Sequence, residues 1–311
     1  YITDLANIEE YMKTHYMTVV NNPGQADDMD VVFTKIPEGG SQVSVWNQTD
    51  YPIQTREITV TQNEVDVNYK IYYLKLREGS GEKPCNVDDI LAGYRGEYIY
   101  KETTTEGTNT TTKVLGKQFE ENKNPQTYLS LYGGVIRGWS EIFPQFRTGT
   151  YSENPDGTIS YNDFGAGVMF IPSGLAYFGT SRSTIPAYSP LVFTIKLFEL
   201  QRTDQDGDGI LSYLEDLNGD GYIDAGNGTN GNPGDRTVIG NTTPRYQYGF
   251  RVGADYKNFS LSLFFQGVGE RKIWGSGQLA IPGYFAKEGA MPQVIAEDYW
   301  RADRTDAFYP R

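Results

Sequence analysis

Histidine and cysteine are almost missing from this chain. A single histidine, His15, and a single cysteine, Cys85, leave no material for an intramolecular disulfide, a Cys/His zinc cluster or a Ser-His-Asp triad. No run of about 18 apolar residues occurs, so no helical membrane span is expected. Basic residues are also short: 27 Lys and Arg against 40 Asp and Glu give a net charge of -13, which repels a phosphate backbone and argues against nucleic acid as a partner. The start at Tyr1 shows neither a signal peptide nor a lipid-accepting cysteine, which predicts either a cytoplasmic chain or a processed, truncated exported one. Aromatic residues are plentiful, with 24 Tyr and 15 Phe, and lean toward an exported, β-rich protein.

The 311 residues are enough for two ordinary domains. From Asp4 to about Met17, Leu5, Ile8, Tyr11 and Met12 recur at helical spacing, with Asp4 placed to cap the first turn and His15 read as solvated or facing the helix dipole. Residues 22 to 65 mix Asn, Pro, Gly and Asp with short β-like runs such as "SQVSVW" and predict an extended arm or edge strands. From Asn68 to Leu200, "YKIYYLKL", "ILAGYRGEYIY", "GVMFI" and "LVFTIKLFEL" read as antiparallel strands with one buried face. Within that stretch "GGVIRGWSEIFPQF" differs: Val135, Ile136, Trp139, Ile142 and Phe143 form a helical stripe that Pro144 ends. The fold expected is α+β, a twisted antiparallel sheet wrapped on a short helix. "YSENPDGTISYNDF", residues 151 to 164, reads as a hairpin around the turn signal "NPDG", and as a specificity element if it lies near a pocket.

The fragments "GYRG" at 93 to 96, "KQFEEN" at 117 to 122, "GVIRGW" at 134 to 139, "AYFG" at 176 to 179 and "IPAYSPLVFTIKL" at 185 to 197 stand in one order along the chain. In that order they resemble the FKBP-type peptidyl-prolyl cis/trans isomerases. The resemblance implies a proline pocket walled by Tyr94 and Phe119, rimmed by Val135 and Ile136, floored by the Trp139 indole and closed by Phe193, with Tyr177 donating to a substrate carbonyl. Glu120 stands where that family usually has Asp. Such a pocket needs no acid, base, metal or cofactor for catalysis, which suits a chain so poor in histidine and cysteine.

"DQDGDGILSYLEDLNGDGYIDAG", residues 204 to 226, follows. Asp204, Asp206, Asp208, Gly209 and Glu215 occupy positions 1, 3, 5, 6 and 12 of the EF-hand loop pattern, and the Ile210 carbonyl would complete a structural calcium cage. Asp216, Asn218, Asp220, Gly221 and Asp224 begin a weaker second loop, in which Asn227 replaces the closing Glu.

Beyond it, "GDRTVIGNTTPRYQYGFRVGADYKNFSLSLFFQGV" and "AEDYWRADRTDAFYPR" resemble SusC-like TonB-dependent outer-membrane transporters. Alternation in Tyr246, Tyr248, Phe250, Val252, Ala254 and Tyr256, resumed after Lys257 and Asn258 at Phe259, Leu261, Leu263 and Phe265, predicts a hairpin of transmembrane β-barrel type. Two strands cannot close a barrel. The organisation expected is therefore an N-terminal helix and arm over 1–67, an isomerase domain over 68–203, acidic loops with a seam between two unrelated sequences over 204–227, and a barrel fragment over 228–311. An FKBP-like domain with such additions resembles exported lipoprotein isomerases of Bacteroidetes-type bacteria. That resemblance implies an enzyme of the periplasm or outer membrane of a Gram-negative bacterium, held by a lipid anchor outside this sequence and acting on proline-containing polypeptides. The alternative is a non-catalytic accessory subunit of a SusC/SusD-type uptake complex.

Overall fold

The computed structural model describes residues 2–62, 65–182, 184–205, 210–223, 235 and 242–271, and the chain divides into two units, Tyr1–Arg236 and Thr237–Arg311. In the first, helix α1 (Ile2–Thr14) leads into a small hairpin, β1 (His15–Val19) and β2 (Val31–Lys35). Strands β3 (Ile53–Gln62), β4 (Val65–Arg77), β5 (Asp89–Glu106), β6 (Asn109–Asn122) and β7 (Leu129–Ser130) follow, then helix α2 (Arg137–Ile142), the short strands β8 (Thr150–Glu153) and β9 (Ile159–Asn162), and β10 (Gly165–Ile171) and β11 (Leu191–Gln201). One antiparallel sheet runs in the order β3-β4-β10-β11-β5-β6, with β7 added to β5. The four strand runs read between Asn68 and Leu200 all fall inside it.

The expectation of a single buried face is corrected. Successive residues of a strand point to opposite faces, and here both faces are covered. Ile71, Tyr73, Met169, Ile171, Phe193 and Ile195 turn toward α2 on one face, while Tyr72, Leu74, Val168, Phe170 and Val192 turn toward α1 and the β1–β2 hairpin on the other. Strand β10, between β4 and β11, is buried at every residue. Residues 2–35 are thus the lid of the sheet's second face. Ile8, Tyr11 and Met12 of α1 are essentially inaccessible, and each such side chain contributes about 1.5–3 kcal/mol of apolar burial.

Five local readings change. Asp4 lies inside the first turn of α1 and does not cap it; its carboxylate accepts from the Ser173 amide at 2.9 Å and the Ser173 hydroxyl at 2.5 Å, tying α1 to the loop after β10. The helix ends at Thr14, so Met17 belongs to β1. His15 is buried, stacked on Tyr11 with centroids 4.0 Å apart, and its Nδ1–H donates to the Tyr11 carbonyl at 3.0 Å. "SQVSVW" is not a strand: Val45 and Trp46 hang from α1 and β1 through amides donating to His15 and Met12. The expected boundary at residue 68 falls inside β4, because the sheet already begins with β3, an edge strand whose alternate residues are polar.

The described part of the acidic segment is docked, not a free linker. Tyr222 is 5% exposed; its hydroxyl donates to the Glu141 carbonyl at 2.6 Å and accepts from Gln145 at 2.8 Å, and the Arg56 guanidinium lies 3.6 Å from its ring centre. Asn86 and Ile223 exchange side-chain and backbone hydrogen bonds at 2.7 and 3.1 Å.

In the second unit, β12 (Gln247–Tyr256) and β13 (Phe259–Val268) form the expected hairpin across Lys257 and Asn258. The pairs Phe250–Phe265, Val252–Leu263, Ala254–Leu261 and Tyr256–Phe259 give it one apolar face, and its large apolar side chains are exposed. No helix among the described residues is long and apolar enough to cross a membrane.

Candidate active site

Helix α2 is short because its ends are fixed from outside. Val135 and Ile136 precede it, Ile136 being extended at φ -65° and ψ 148°, and Pro144 turns the chain into a 3-10 turn, Phe143–Gln145. The sequence stripe therefore spans three conformations, not one helix. What holds α2 to the sheet is Gly138: a Cβ there would lie 2.7 Å from two Ile171 side-chain carbons, so only glycine permits the approach.

That approach brings Trp139 onto the sheet among aromatics from three strands. Its ring centre lies 5.0 Å from Tyr94 of β5, 5.1 Å from Phe193 of β11 and 5.2 Å from Phe143. Phe119 of β6 meets Phe193 edge-on at 5.7 Å. The register between β5 and β6 shifts beside Gly96, and a Cβ on Gly96 would stand 2.5 Å from the Phe119 ring and 2.8 Å from that of Phe193. Gly96 and Phe143 are parts of the site that sequence reading did not assign; the glycine of "GYRG" and the helical stripe were their only signals.

Of the sequence-named residues, Tyr94, Phe119, Val135, Ile136 and Tyr177 are partly buried against the cluster that contains Trp139 and Phe193. Glu120 joins through its side chain, accepting from the Tyr94 hydroxyl at 2.8 Å. Burial, then that hydrogen bond, raises the Tyr94 phenol well above its ordinary range. Burial also raises Tyr177, aided by the nearby Glu120 charge and opposed by Arg182, whose guanidinium lies 5.3 Å from the Tyr177 ring centre. Both hydroxyls thus remain protonated donors at neutral pH. The Trp139 Nε1–H is buried with no hydrogen-bond partner among the described residues.

The arrangement sets flat aromatic rings beside two phenol hydroxyls, those of Tyr94 and Tyr177. Burial pushes the Cys85 thiol up to about 12 and lowers His15, and neither residue stands among those packed with Trp139. The 151–164 hairpin, expected as a specificity element, is formed by β8 and β9, but it lines a cleft with Phe198 and Glu199 and not this site.

The acidic loops divide. Asp206, Asp208, Gly209, Asp224 and Asn227 lie outside the described residues, while Asp204, Ile210 and Glu215 lie within them. In the second loop both Asp216 oxygens accept backbone amides, from Gly219 at 2.7 Å and Gly221 at 2.7 Å, and the Asn218 and Asp220 side chains accept from the amides of Asp220 and Tyr222. No group of three or more His, Cys, Asp or Glu side chains is gathered to hold a metal among the described residues.

No family model and no curated protein matches the sequence. Among solved structures, the chain is similar to a peptidyl-prolyl cis-trans isomerase from Pseudomonas syringae pv. tomato str. DC3000 at 23% identity, covering 42% of this chain and 76% of that one with a TM-score of 0.30. It is similar to FkpA from Escherichia coli at 24% identity, covering 46% and 51% with a TM-score of 0.29. The N-terminal domain of FKBP42 from Arabidopsis thaliana follows at 13% identity, 42% and 86% coverage and a TM-score of 0.29.

Proposed function

We propose that the sheet and α2 form a peptidyl-prolyl cis/trans isomerase of the FKBP type. The observation that carries the reading is the convergence of Tyr94, Trp139 and Phe193 within 6.3 Å of one another, ring centre to ring centre, from three separate elements, with Phe119 and Tyr177 beside them. Each of these was named from one ordered set of motifs.

The chemistry follows from the peptide bond. Rotation about an X-Pro bond must cross a barrier of about 18–20 kcal/mol because resonance gives the C–N bond partial double character. An apolar site disfavours that charge-separated form, and a donor such as the Tyr177 hydroxyl can hold a substrate carbonyl while the amide twists. Uncatalysed turnover takes roughly tens to hundreds of seconds, so even a modest lowering matters to a folding polypeptide. The proposal extends to exported or outer-membrane clients in the periplasm or at the outer membrane, and to calcium as a structural ion in the 204–215 loop.

A second reading, the non-catalytic accessory subunit of a SusC/SusD-type complex, draws on the exposed apolar face of the β12–β13 hairpin. Isomerisation of a Leu-Pro or Phe-Pro peptide separates the two. Acceleration over the uncatalysed rate is expected; a folded chain that binds such a peptide without accelerating it leaves the accessory reading.

A further inference from the structure

A cleft of about 830 Å³ opens on the face of the sheet away from α2. Its floor comes from β5 and β11, where a register shift between Leu197 and Glu199 sends Leu197 into the α2 face while Glu199 pairs with Leu91 on the other. Its walls are pieces that surround the sheet: the loop at Gly24–Ala26, the segment 123–128 after β6, and the β8–β9 hairpin. These walls are anchored. Lys196 donates to the Ala26 carbonyl at 2.9 Å, and Asp28 is held by Arg77 at 2.9 Å.

Tyrosines gather about the Glu199 carboxylate. Tyr128 donates to Glu199 Oε2 at 2.8 Å. Tyr161 stacks on Phe198, centroids 4.5 Å apart at 19°, and interaction with Glu199 adds to burial in raising its phenol to about 12. Tyr151 is paired directly across the hairpin from Tyr161 and is 60% exposed. An ionised carboxylate has about four lone-pair directions, and the two tyrosines do not use them all. Among the described residues one cation lines the cleft, Lys123, and it is already paired with Asp30 at 2.9 Å and Glu121 at 3.7 Å. The remaining rim is amides and hydroxyls, among them Gln25, Asn124, Gln126 and Asn154.

From this geometry we propose that the cleft is a second binding site, distinct from the aromatic site on α2, which takes the cationic side chain of an extended polypeptide, lysine or arginine, onto Glu199 between Tyr128, Tyr151 and Tyr161. A carboxylate at the floor excludes an anionic ligand. Ring faces attract a cation through their quadrupole, and the amide rim offers donors and acceptors for a polypeptide backbone. A cleft of this volume lies in the usual range for ligand sites. The net charge of -13 favours the approach of such a ligand.

The test uses the full chain and a proline-free probe, acetyl-Gly-Gly-Lys-Gly-Gly-amide, so that its outcome is independent of any isomerase activity. Arginine and norleucine analogues and n-butylammonium are compared by calorimetry and by chemical-shift mapping. The lysine or arginine peptide is expected to bind, with shifts at Leu91 and Gly157, and norleucine is expected to bind at least about tenfold more weakly, the usual scale for losing a charged hydrogen bond. Butylammonium binding as tightly as the lysine peptide would assign the site to small amines and overturn the polypeptide part. Glu199→Gln should lose about tenfold or more. Tyr151→Ala, at an exposed ring that threatens folding less, should also weaken binding, whereas Tyr151→Phe should not. Equal binding of the norleucine peptide, unchanged binding in Glu199→Gln with the fold intact, or no binding at millimolar probe overturns the proposal.

Discussion

The Trp139 indole meets the Phe193 ring edge to face, 5.1 Å between centres at 89°. One ring stands on α2 and the other on β11, so the contact fixes the helix on the sheet and shapes the site together. On the proposed function, Trp139→Ala removes the flat surface on which a prolyl ring would rest and admits water beside the amide.

The expected cost is about 1.4–3 kcal/mol of transition-state stabilisation, or roughly ten- to hundredfold in kcat/KM for a Leu-Pro peptide. Tyr177→Phe keeps the wall and removes one donor, and should cost less. Because Trp139 is buried, its truncation also destabilises the fold by about 3–5 kcal/mol. Circular dichroism and a Trp139→Phe variant are therefore run beside the assay. An unaltered rate in folded Trp139→Ala would remove the indole from the reaction.

Tyr222 clasps the acidic segment to α2, giving its hydroxyl to the Glu141 carbonyl and receiving Gln145. Tyr222→Phe should lower stability by about 1 kcal/mol, since it takes one partner from each of two half-buried groups, the Glu141 carbonyl and the Gln145 amide. Urea denaturation of the full chain measures this. An unchanged midpoint would show the docking to be energetically idle.

Much of the first face was legible because each residue there carries its signal locally. Trp139 stands in a helical stripe, and Phe193 sits in a strand run whose alternation survives in "LVFTIKLFEL". The second face was not legible. Its cover, Ile8, Tyr11 and Met12, is packed on strands far along the chain, and a strand buried on both faces loses the alternation that would have announced it. The same distance hid the Asp4–Ser173 pair and the gathering of Tyr128, Tyr161 and Glu199, which share no motif. Tyr222 sat inside a stretch whose aspartates and glycines pointed to calcium loops and a seam, not to a packed contact.

Calcium is expected to bind the full chain through Asp204, Asp206, Asp208 and Glu215 with the Ile210 carbonyl, oxygen donors at a spacing that suits a large, flexible coordination shell better than magnesium's octahedron. Calorimetry at millimolar calcium should show uptake, reduced by Glu215→Gln. The second loop should contribute little, since Asn227 stands where the closing bidentate Glu should be. Absence of heat and of any thermal shift would make the stretch a plain acidic segment.

His15 sets the last expectation, a dependence of stability on pH. Burial is the largest influence on it and favours the neutral ring, so its pKa in the fold is lowered from 6.5. The unfolded chain therefore takes up the proton first as pH falls. Stability supplied by the neutral, stacked ring is complete above about pH 6.5 and is lost as pH drops through that value toward the lowered folded one. Asp30 and Glu9, whose pKa values are also lowered, act in the same direction but further down, in the carboxylate range. Between about pH 8 and 5.5 the urea midpoint of the wild-type chain should fall more than that of His15→Gln, which cannot titrate. Parallel curves would show that the ring is protonated in the fold as readily as in the unfolded chain, and that its stacking on Tyr11 tolerates the charge.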